Sequence, residues 1–221
     1  ALFKKLPYDT EKDFTAIGLA ATVPNALVVN PSFEAKTVGE LIAIAKKDPG
    51  KLSFGSFGGA NHLAGELFKH MAGVNIVHIP YKGAAPAMND VVAGHLPMMF
   101  DSLPTVLPVA EGGRVRILAV TSAERSKSLP DIPTIAEAAN LPGYEAKAWF
   151  GLFMPAAEGS SVQKELSKAM AEVLARKDIQ DKFVALGATP GTLTGDDFTK
   201  FVHAELKKWR KVVDEAGIER Q

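Results

Sequence analysis

The stretch Lys51-Leu52-Ser53-Phe54-Gly55-Ser56-Phe57-Gly58-Gly59-Ala60-Asn61 sets the architecture of this chain, because an apolar run ends in it and a helical pattern follows at once. Gly55, Gly58, Gly59 and Ala60 have little or no side chain, so a ligand can approach the backbone closely. The helix that follows aims its unpaired first N–H groups and its positive dipole end into the same space, which suits an anion. A second apolar run over residues 74–79 ends in Pro80-Tyr81-Lys82-Gly83, and a third over 97–100 ends in Asp101-Ser102. In a parallel sheet these three strand ends face one edge.

Working outward, strand and helix patterns alternate, which argues for an α/β fold with mostly parallel strands. Thr37-Val38-Gly39-Glu40 is a capping-box pattern, and its helix runs to Lys47 before Asp48-Pro49-Gly50. Asn61 is placed to cap the next helix, whose Leu63, Leu67, Phe68 and Met71 recur at helical spacing and which Gly73 ends. A helix over 86–93, a strand over 98–100, a proline-interrupted helix over 104–111 and a strand over 115–121 continue the series. After a long loop over 122–143 and a strand over 147–154, only helices follow. One opens at Ser160 with Gln163 as a capping box, one covers 178–186, and one covers 195–216 with Phe198, Phe201, Val202, Leu206, Trp209 and Val213 on its buried face. With almost no strands of their own, these last helices are expected to pack on a sheet or partner lobe begun earlier in the chain, or missing from it.

Composition narrows the function. The chain has 221 residues, 47% of them hydrophobic, enough for a sizeable core. Lys plus Arg and Asp plus Glu each number 25, so no long-range field favours nucleic acid, and nucleic acid is not an expected partner. With no Cys, thiolate catalysis, disulfides and Cys-based zinc sites are excluded. No run approaches the roughly 18 apolar residues of a membrane span, and residues 1–7 carry no signal-peptide pattern. The chain is expected not to be membrane-embedded.

Several residues invite an enzymatic reading. His62, Glu66 and His70 at i, i+4 and i+8 resemble a metal-binding face, but the outer pair is about 12 Å apart along a helix rising 1.5 Å per residue, too far for one ion. An exposed Glu66–His70 pair is the plainer reading, with His62 as a hydrogen-bond donor in the first turn. Ser56 in Phe54-Gly55-Ser56-Phe57-Gly58 resembles a nucleophile elbow with Phe54 where the first glycine belongs, and neither His95 nor His203 stands in a triad order with an acid. A loop serine that hydrogen-bonds a ligand explains it more simply. The glycine spacing is neither a dinucleotide fingerprint nor a Walker loop. Tyr81, Lys82 and Gly83 read equally as a strand-to-helix turn and as ligand contacts. Asp101, a carboxylate beside an anion loop, must accept hydrogen bonds, either bracing the loop or meeting a donor on the ligand. Trp149 and Phe150 are core residues or, on a strand crossing between lobes, a ligand wall.

Leu6-Pro7-Tyr8-Asp9 with Lys12-Asp13-Phe14, Leu63-Ala64-Gly65-Glu66-Leu67-Phe68, Pro80-Tyr81-Lys82-Gly83 with Pro86-Ala87, Met99-Phe100-Asp101, Leu118-Ala119-Val120-Thr121, Leu129-Pro130-Asp131-Ile132-Pro133-Thr134 and Trp149-Phe150-Gly151 occur in order along nearly the whole chain. In these motifs the sequence resembles the Bug (TctC-like) substrate-binding proteins of tripartite tricarboxylate transporters. The resemblance implies a periplasmic, two-lobed binding protein of the type II periplasmic-binding-protein class that closes on a small carboxylate. It hands the ligand to membrane transporter subunits, without catalysis, cofactor or metal. Carried onto this sequence, Ser56, Phe57, Gly58, Gly59, Ala60 and Asn61 and the helix that follows with His62 hold a ligand carboxylate through backbone N–H groups, with Tyr81, Lys82, Gly83 and Asp101 nearby; Trp149 and Phe150 are added as candidate contacts from their place on the crossing strand. The rival expectation is a hydrolase using Ser56, or a metal site at His62 and Glu66.

Two departures from the family pattern shape the expectation. The loop before the His62-Leu63 pair is shorter than usual and carries Gly59-Ala60-Asn61 where Thr or Ser is common. The resemblance also implies an opening strand-helix-strand segment, carrying the opposite carboxylate contact and following a signal peptide, that these residues do not include. On that basis residues 23–144 form a complete second lobe, and residues 1–22 with 145–221 form an incomplete first lobe.

Overall fold

The computed structural model describes residues 1–218 and 220. The chain divides into two compact units, Val23–Ala148 and Ala1–Thr22 with Trp149–Gln221. The second crossing lies beyond the expected 144/145 boundary because Tyr144 is fully buried within Val23–Ala148, its hydroxyl donating to Ala64 O at 2.9 Å, and Ala146 N–H bonds Thr121 O at 2.9 Å.

The unit Val23–Ala148 is a sheet covered by helices. Its strands are the second half of β1 (Phe14–Val29), β2 (Ser53–Ser56), β3 (Val77–Pro80), β4 (Met98–Ser102) and β5 (Arg116–Val120), in the order β3-β2-β4-β1-β5. β2 is parallel to β3 and to β4, whereas β1 is antiparallel to β4 and β5. The sheet is therefore mixed, with β3, β2, β4 and β5 running in one direction and β1 against them. β1 had no sequence expectation, for two physical reasons. Ala26, Leu27, Val28 and Val29 are all fully buried, so the central strand shows an unbroken apolar run in place of alternation, and Pro24 reads as a strand breaker.

The helices of this unit are α1 (Val38–Lys47), α2 (Gly59–Ala72), α3 (Ala84–Ala93), α4 (Leu103–Glu111) and α5 (Ile135–Ala139). α1 has its capping box, the Thr37 hydroxyl accepting from Glu40 N–H at 3.2 Å while Glu40 accepts from the Thr37 N–H at 3.3 Å. Residues 122–143 are not one loop: Thr134 and Glu137 form a second complete capping box that opens α5. On one face of the sheet Ala26, Val28, Met99 and Val120 pack with Met88, Val91, Leu103 and Val106 of α3 and α4. On the other, Phe100 meets Phe54 edge-on at 5.8 Å and Phe68 at 6.0 Å. α2 lies so close to β2 that a Cβ on Gly65 would meet the Phe54 ring at 2.1 Å. Gly73 ends α2 in the left-handed conformation at φ 61°, as its position implies.

The other unit contains the first half of β1, β6 (Lys147–Pro155, from Trp149), β7 (Thr189–Pro190), and the helices α6 (Ser160–Leu174), α7 (Lys177–Ala185) and α8 (Gly195–Glu215). Here β1 pairs with β6 and, antiparallel, with β7. The helices cover strands, chief among them β1, begun earlier in the chain, which is the first of the two expected alternatives. Ala16 and Leu19 pack with Phe198 and Val202 of α8, and Ile17 and Met154 pack with Met170 and Leu174 of α6. The residue that caps α6 is Gly159, with no side-chain cap, so the expected Ser160–Gln163 box does not form. Gln163 Nε2 instead donates to Ala16 O at 3.0 Å, and Ser167 Oγ to Ile17 O at 2.8 Å, fastening α6 to β1.

Candidate functional site

Because β3, β2 and β4 are mutually parallel through β2, their C-terminal ends share one edge of the sheet, and each leads directly into a helix. Ser56 stands opposite Pro80 in register, and Tyr81 N–H donates to Ser56 O at 2.8 Å, closing the ladder at that edge. α2, α3 and α4 thus begin side by side. None of the three has a side-chain cap, their N-cap residues being Gly58, Gly83 and Ser102. The same unit's α1 and α5, which begin elsewhere, both carry full capping boxes. The uncapped starts leave backbone N–H groups and positive helix ends at one place, an arrangement suited to anions. Gly58 has φ 95°, a conformation that side chains rarely adopt, and Gly58 and Gly59 are exposed at the turn.

Asn61 does not cap α2. It lies within the first turn, buried, and its Nδ2 donates to Phe100 O at 3.1 Å and to Asp101 Oδ1 at 3.4 Å, pinning α2 to the end of β4. Asp101 is fully buried; its Oδ1 also accepts from Ser102 N–H at 2.7 Å. Burial pushes its carboxyl up to about 6 against the pull of the Ser102 and Asn61 hydrogen bonds. On the neighbouring strand Asn25 is fully buried, with Nδ2 directed to Ala60 O at 3.5 Å. Its backbone N–H donates to Thr121 Oγ1 at 2.8 Å.

Ser56 is also fully buried, and its Oγ lies 2.8 Å from Nε2 of His78 on β3. The His78 ring stacks on His62 at 4.0 Å with 16° between the planes. Desolvation, and next the neighbouring His62, hold His78 down at about 4, so at neutral pH the imidazole is uncharged and can accept the Ser56 proton. His62 Nε2 lies 3.7 Å from Glu66, and Lys69 Nζ 2.9 Å from it. Burial raises the Glu66 carboxyl, but the His62 and Lys69 hydrogen bonds outweigh it and keep it below its usual range. Glu66 is therefore a buried residue bonded to Lys69 and His62, not half of an exposed pair with His70. Among the described residues no three His, Cys, Asp or Glu side chains gather in a way that could hold a metal ion.

Of the remaining expected residues, Phe57 packs against the sheet's core, and Lys82 is exposed. The Tyr81 hydroxyl donates to Asp90 Oδ2 at 2.7 Å; burial, with that bond, raises it to about 12. Trp149 and Phe150 belong to the other unit. Trp149 packs edge-on against Phe198 at 5.9 Å and Phe201 at 5.6 Å, while Phe150 is 58% exposed. The sequence reading missed His78 and Asn25. His78 becomes legible only when β2 and β3 are set parallel in register, with Phe54 opposite His78, which puts Ser56 and His78 on one face.

The profile of one protein family, the tripartite tricarboxylate transporter family receptors (TctC), matches residues 1–218. The chain is 36% identical over 215 residues to a protein from the tcbD–tcbE intergenic region of Pseudomonas sp. strain P51, covering 96% of this chain and 64% of that protein. It is 33% identical to the protein BugT of Bordetella pertussis, covering 98% of this chain and 67% of BugT. The chain thus spans about two thirds of the length of these relatives. Among solved structures, Rpa4515 of R. palustris with adipate superposes with a TM-score of 0.89 at 38% identity, covering 99% of this chain and 73% of that one. The periplasmic binding protein BugD superposes with a TM-score of 0.85 at 31% identity, covering 100% and 75%. The fold is that of Rpa4515 and of the periplasmic binding protein BugD. No helix among the described residues is long and apolar enough to cross a membrane.

Proposed function

We propose, from the premise that this chain belongs to the tripartite tricarboxylate transporter receptor family, that it captures a small carboxylate in the periplasm and delivers it to the membrane subunits of such a transporter, without catalysing a reaction. The observation that carries this reading is the convergence of three uncapped helix starts at the C-terminal edge of β3-β2-β4. In this reading the N–H groups at Gly59 and Ala60, and those after Gly83, receive the carboxylate, while Asn61 and Asp101 hold the first turn of α2 in place. The adipate-bound relative supports a carboxylate as the ligand, and the periplasmic binding protein BugD supports the compartment.

Thermal unfolding against a panel of mono-, di- and tricarboxylates tests it. A ligand present at 100 times its Kd stabilises the fold by about 2.7 kcal/mol, which raises Tm measurably. A shift with one class of acid is expected; unfolding unchanged by every acid overturns the reading.

One observation favours a second reading, a hydrolase in which His78 takes the Ser56 proton across 2.8 Å. Ser56→Ala separates the two. Loss of turnover on activated esters supports the hydrolase, whereas absence of turnover in the parent chain, with ligand binding only weakened by the substitution, supports the receptor.

A further inference from the structure

The edge that suits an anion also carries two oxygens that do not. Asn25 Oδ1 and Asp101 Oδ2 are buried and have no hydrogen-bond partner among the described residues. The orientation of Asn25 follows from chemistry: the Ala60 carbonyl can only accept, so Nδ2 faces it and Oδ1 takes the other side. In Asp101, Oδ1 is taken by Ser102 and Asn61, leaving Oδ2. The two residues come from adjacent strands and are offset by one position, Asn25 opposite Ser102 and Ala26 opposite Asp101, so the register alone does not pair them; their side chains meet at the first turn of α2, Asn25 at Ala60 and Asp101 at Asn61. A buried acceptor without a donor is costly, and more so when it is charged.

We propose that the ligand of this site is a carboxylate that also bears a hydrogen-bond donor, a hydroxyl or an ammonium group, and that Asn25 Oδ1 and Asp101 Oδ2 receive that donor. This rests on the carboxylate-receptor reading above. The helix starts draw the carboxylate, and the two acceptors select among carboxylates, because an acid without a donor leaves both oxygens unpaired and sets its own negative charge beside Asp101. An ammonium group supplies a proton to each oxygen and a charge opposite to that of Asp101.

The test is calorimetric titration of the intact chain with acids matched in carbon skeleton: succinate against malate and aspartate, and glutarate against 2-hydroxyglutarate and glutamate. Binding is followed at pH 6 and pH 8 in buffers of different ionisation enthalpy. The donor-bearing member is expected to bind at least about tenfold more tightly, the worth of one hydrogen bond. It is also expected to release protons at pH 6 and none at pH 8, because a donor holds Asp101 ionised. Asp101 is poised for this, being raised to about 6 by burial, while the side chains that reach it, Ser102 and Asn61, are neutral. Asp101→Asn is expected to shrink the preference to within about threefold, since one hydrogen bond is lost and the amide offers a donor in place of an acceptor. Equal or tighter binding of the donor-free acid, or proton uptake at pH 6, overturns the proposal while leaving the receptor reading intact. If no acid binds, the receptor reading falls and the proposal with it. The proton measurement uses the unsubstituted chain, so it decides the matter even if Asp101→Asn fails to fold.

Discussion

Ser56 Oγ and His78 Nε2 face each other at 2.8 Å across two parallel strands, directly beneath the helix whose start forms the anion-suited turn. A protonated imidazole would still donate to Ser56 Oγ, but burial, and next the stacked His62, oppose a positive charge on the ring. His78 therefore links the stability of the loop's support to pH.

Its folded-state value, about 4, lies below the ordinary value of 6.5. Stability from the neutral ring is thus fully present above pH 6.5 and is lost as the pH falls from there towards 4, because the unfolded chain takes up a proton that the folded one refuses. Urea midpoints of the parent chain and His78→Gln at pH 7.5 and pH 4.5 check this. The difference between the two proteins is expected to narrow or reverse at the lower pH; an unchanged difference contradicts it.

Asp101 acts with the opposite sign over nearly the same range. Its carboxyl is raised from 3.8 to about 6, so its contribution is fully present below pH 3.8 and is lost as the pH rises through 6. Asp101→Asn, which is neutral at every pH, is expected to gain stability relative to the parent between pH 4 and pH 7.5. Chemical denaturation at the two values reads this directly, and a parallel response of both proteins would refute the buried-carboxyl assignment.

Thr134→Ala removes a complete capping box at α5, the hydroxyl's bond to Glu137 N–H at 3.1 Å included. A loss of about 1 kcal/mol is expected from such a cap. Ser160→Ala, at a position where the sequence suggests a box and Gly159 is the actual cap, is expected to change stability by less than about 0.5 kcal/mol. Equal losses in the two variants would contradict the assignment of the caps.

Gly65→Ala places a Cβ at 2.1 Å from the Phe54 ring, with the Phe54 side chain fully buried and unable to swing out. Overpacking of this kind costs about 1–3 kcal/mol. A urea midpoint equal to the parent's would show that α2 does not approach β2 as closely as described.

How much of this was legible beforehand depends on the range of the signal. The Thr37–Glu40 box, Gly73 and the ends of α3, α4 and α8 are local, written in three or four neighbouring residues, and the sequence reading placed them to within two residues. β1 escaped notice because a strand buried on both faces has no alternation, so the sheet begun earlier in the chain that α6 and α8 cover was one of two alternatives with no strand named for it. The glycine turn and Asp101 were readable as site candidates from their place at strand ends. The functions of Asn61 and Asn25 were not, since each acts on residues 35 or more positions away through pairings that exist only in the folded sheet. Thr134-Ile135-Ala136-Glu137 carried a readable box that the proline-rich surroundings hid.

The central claim, that a carboxylate sits on the backbone at the uncapped helix starts, is tested most directly by the amide resonances of Gly59, Ala60 and Ala84. Two-dimensional 15N–1H spectra would be recorded while titrating whichever acid stabilises the chain. If these N–H groups receive the carboxylate, their protons move downfield together and saturate at the same acid concentration that saturates the rise in Tm. An acid that binds and stabilises the chain while leaving all three resonances in place would contradict the account.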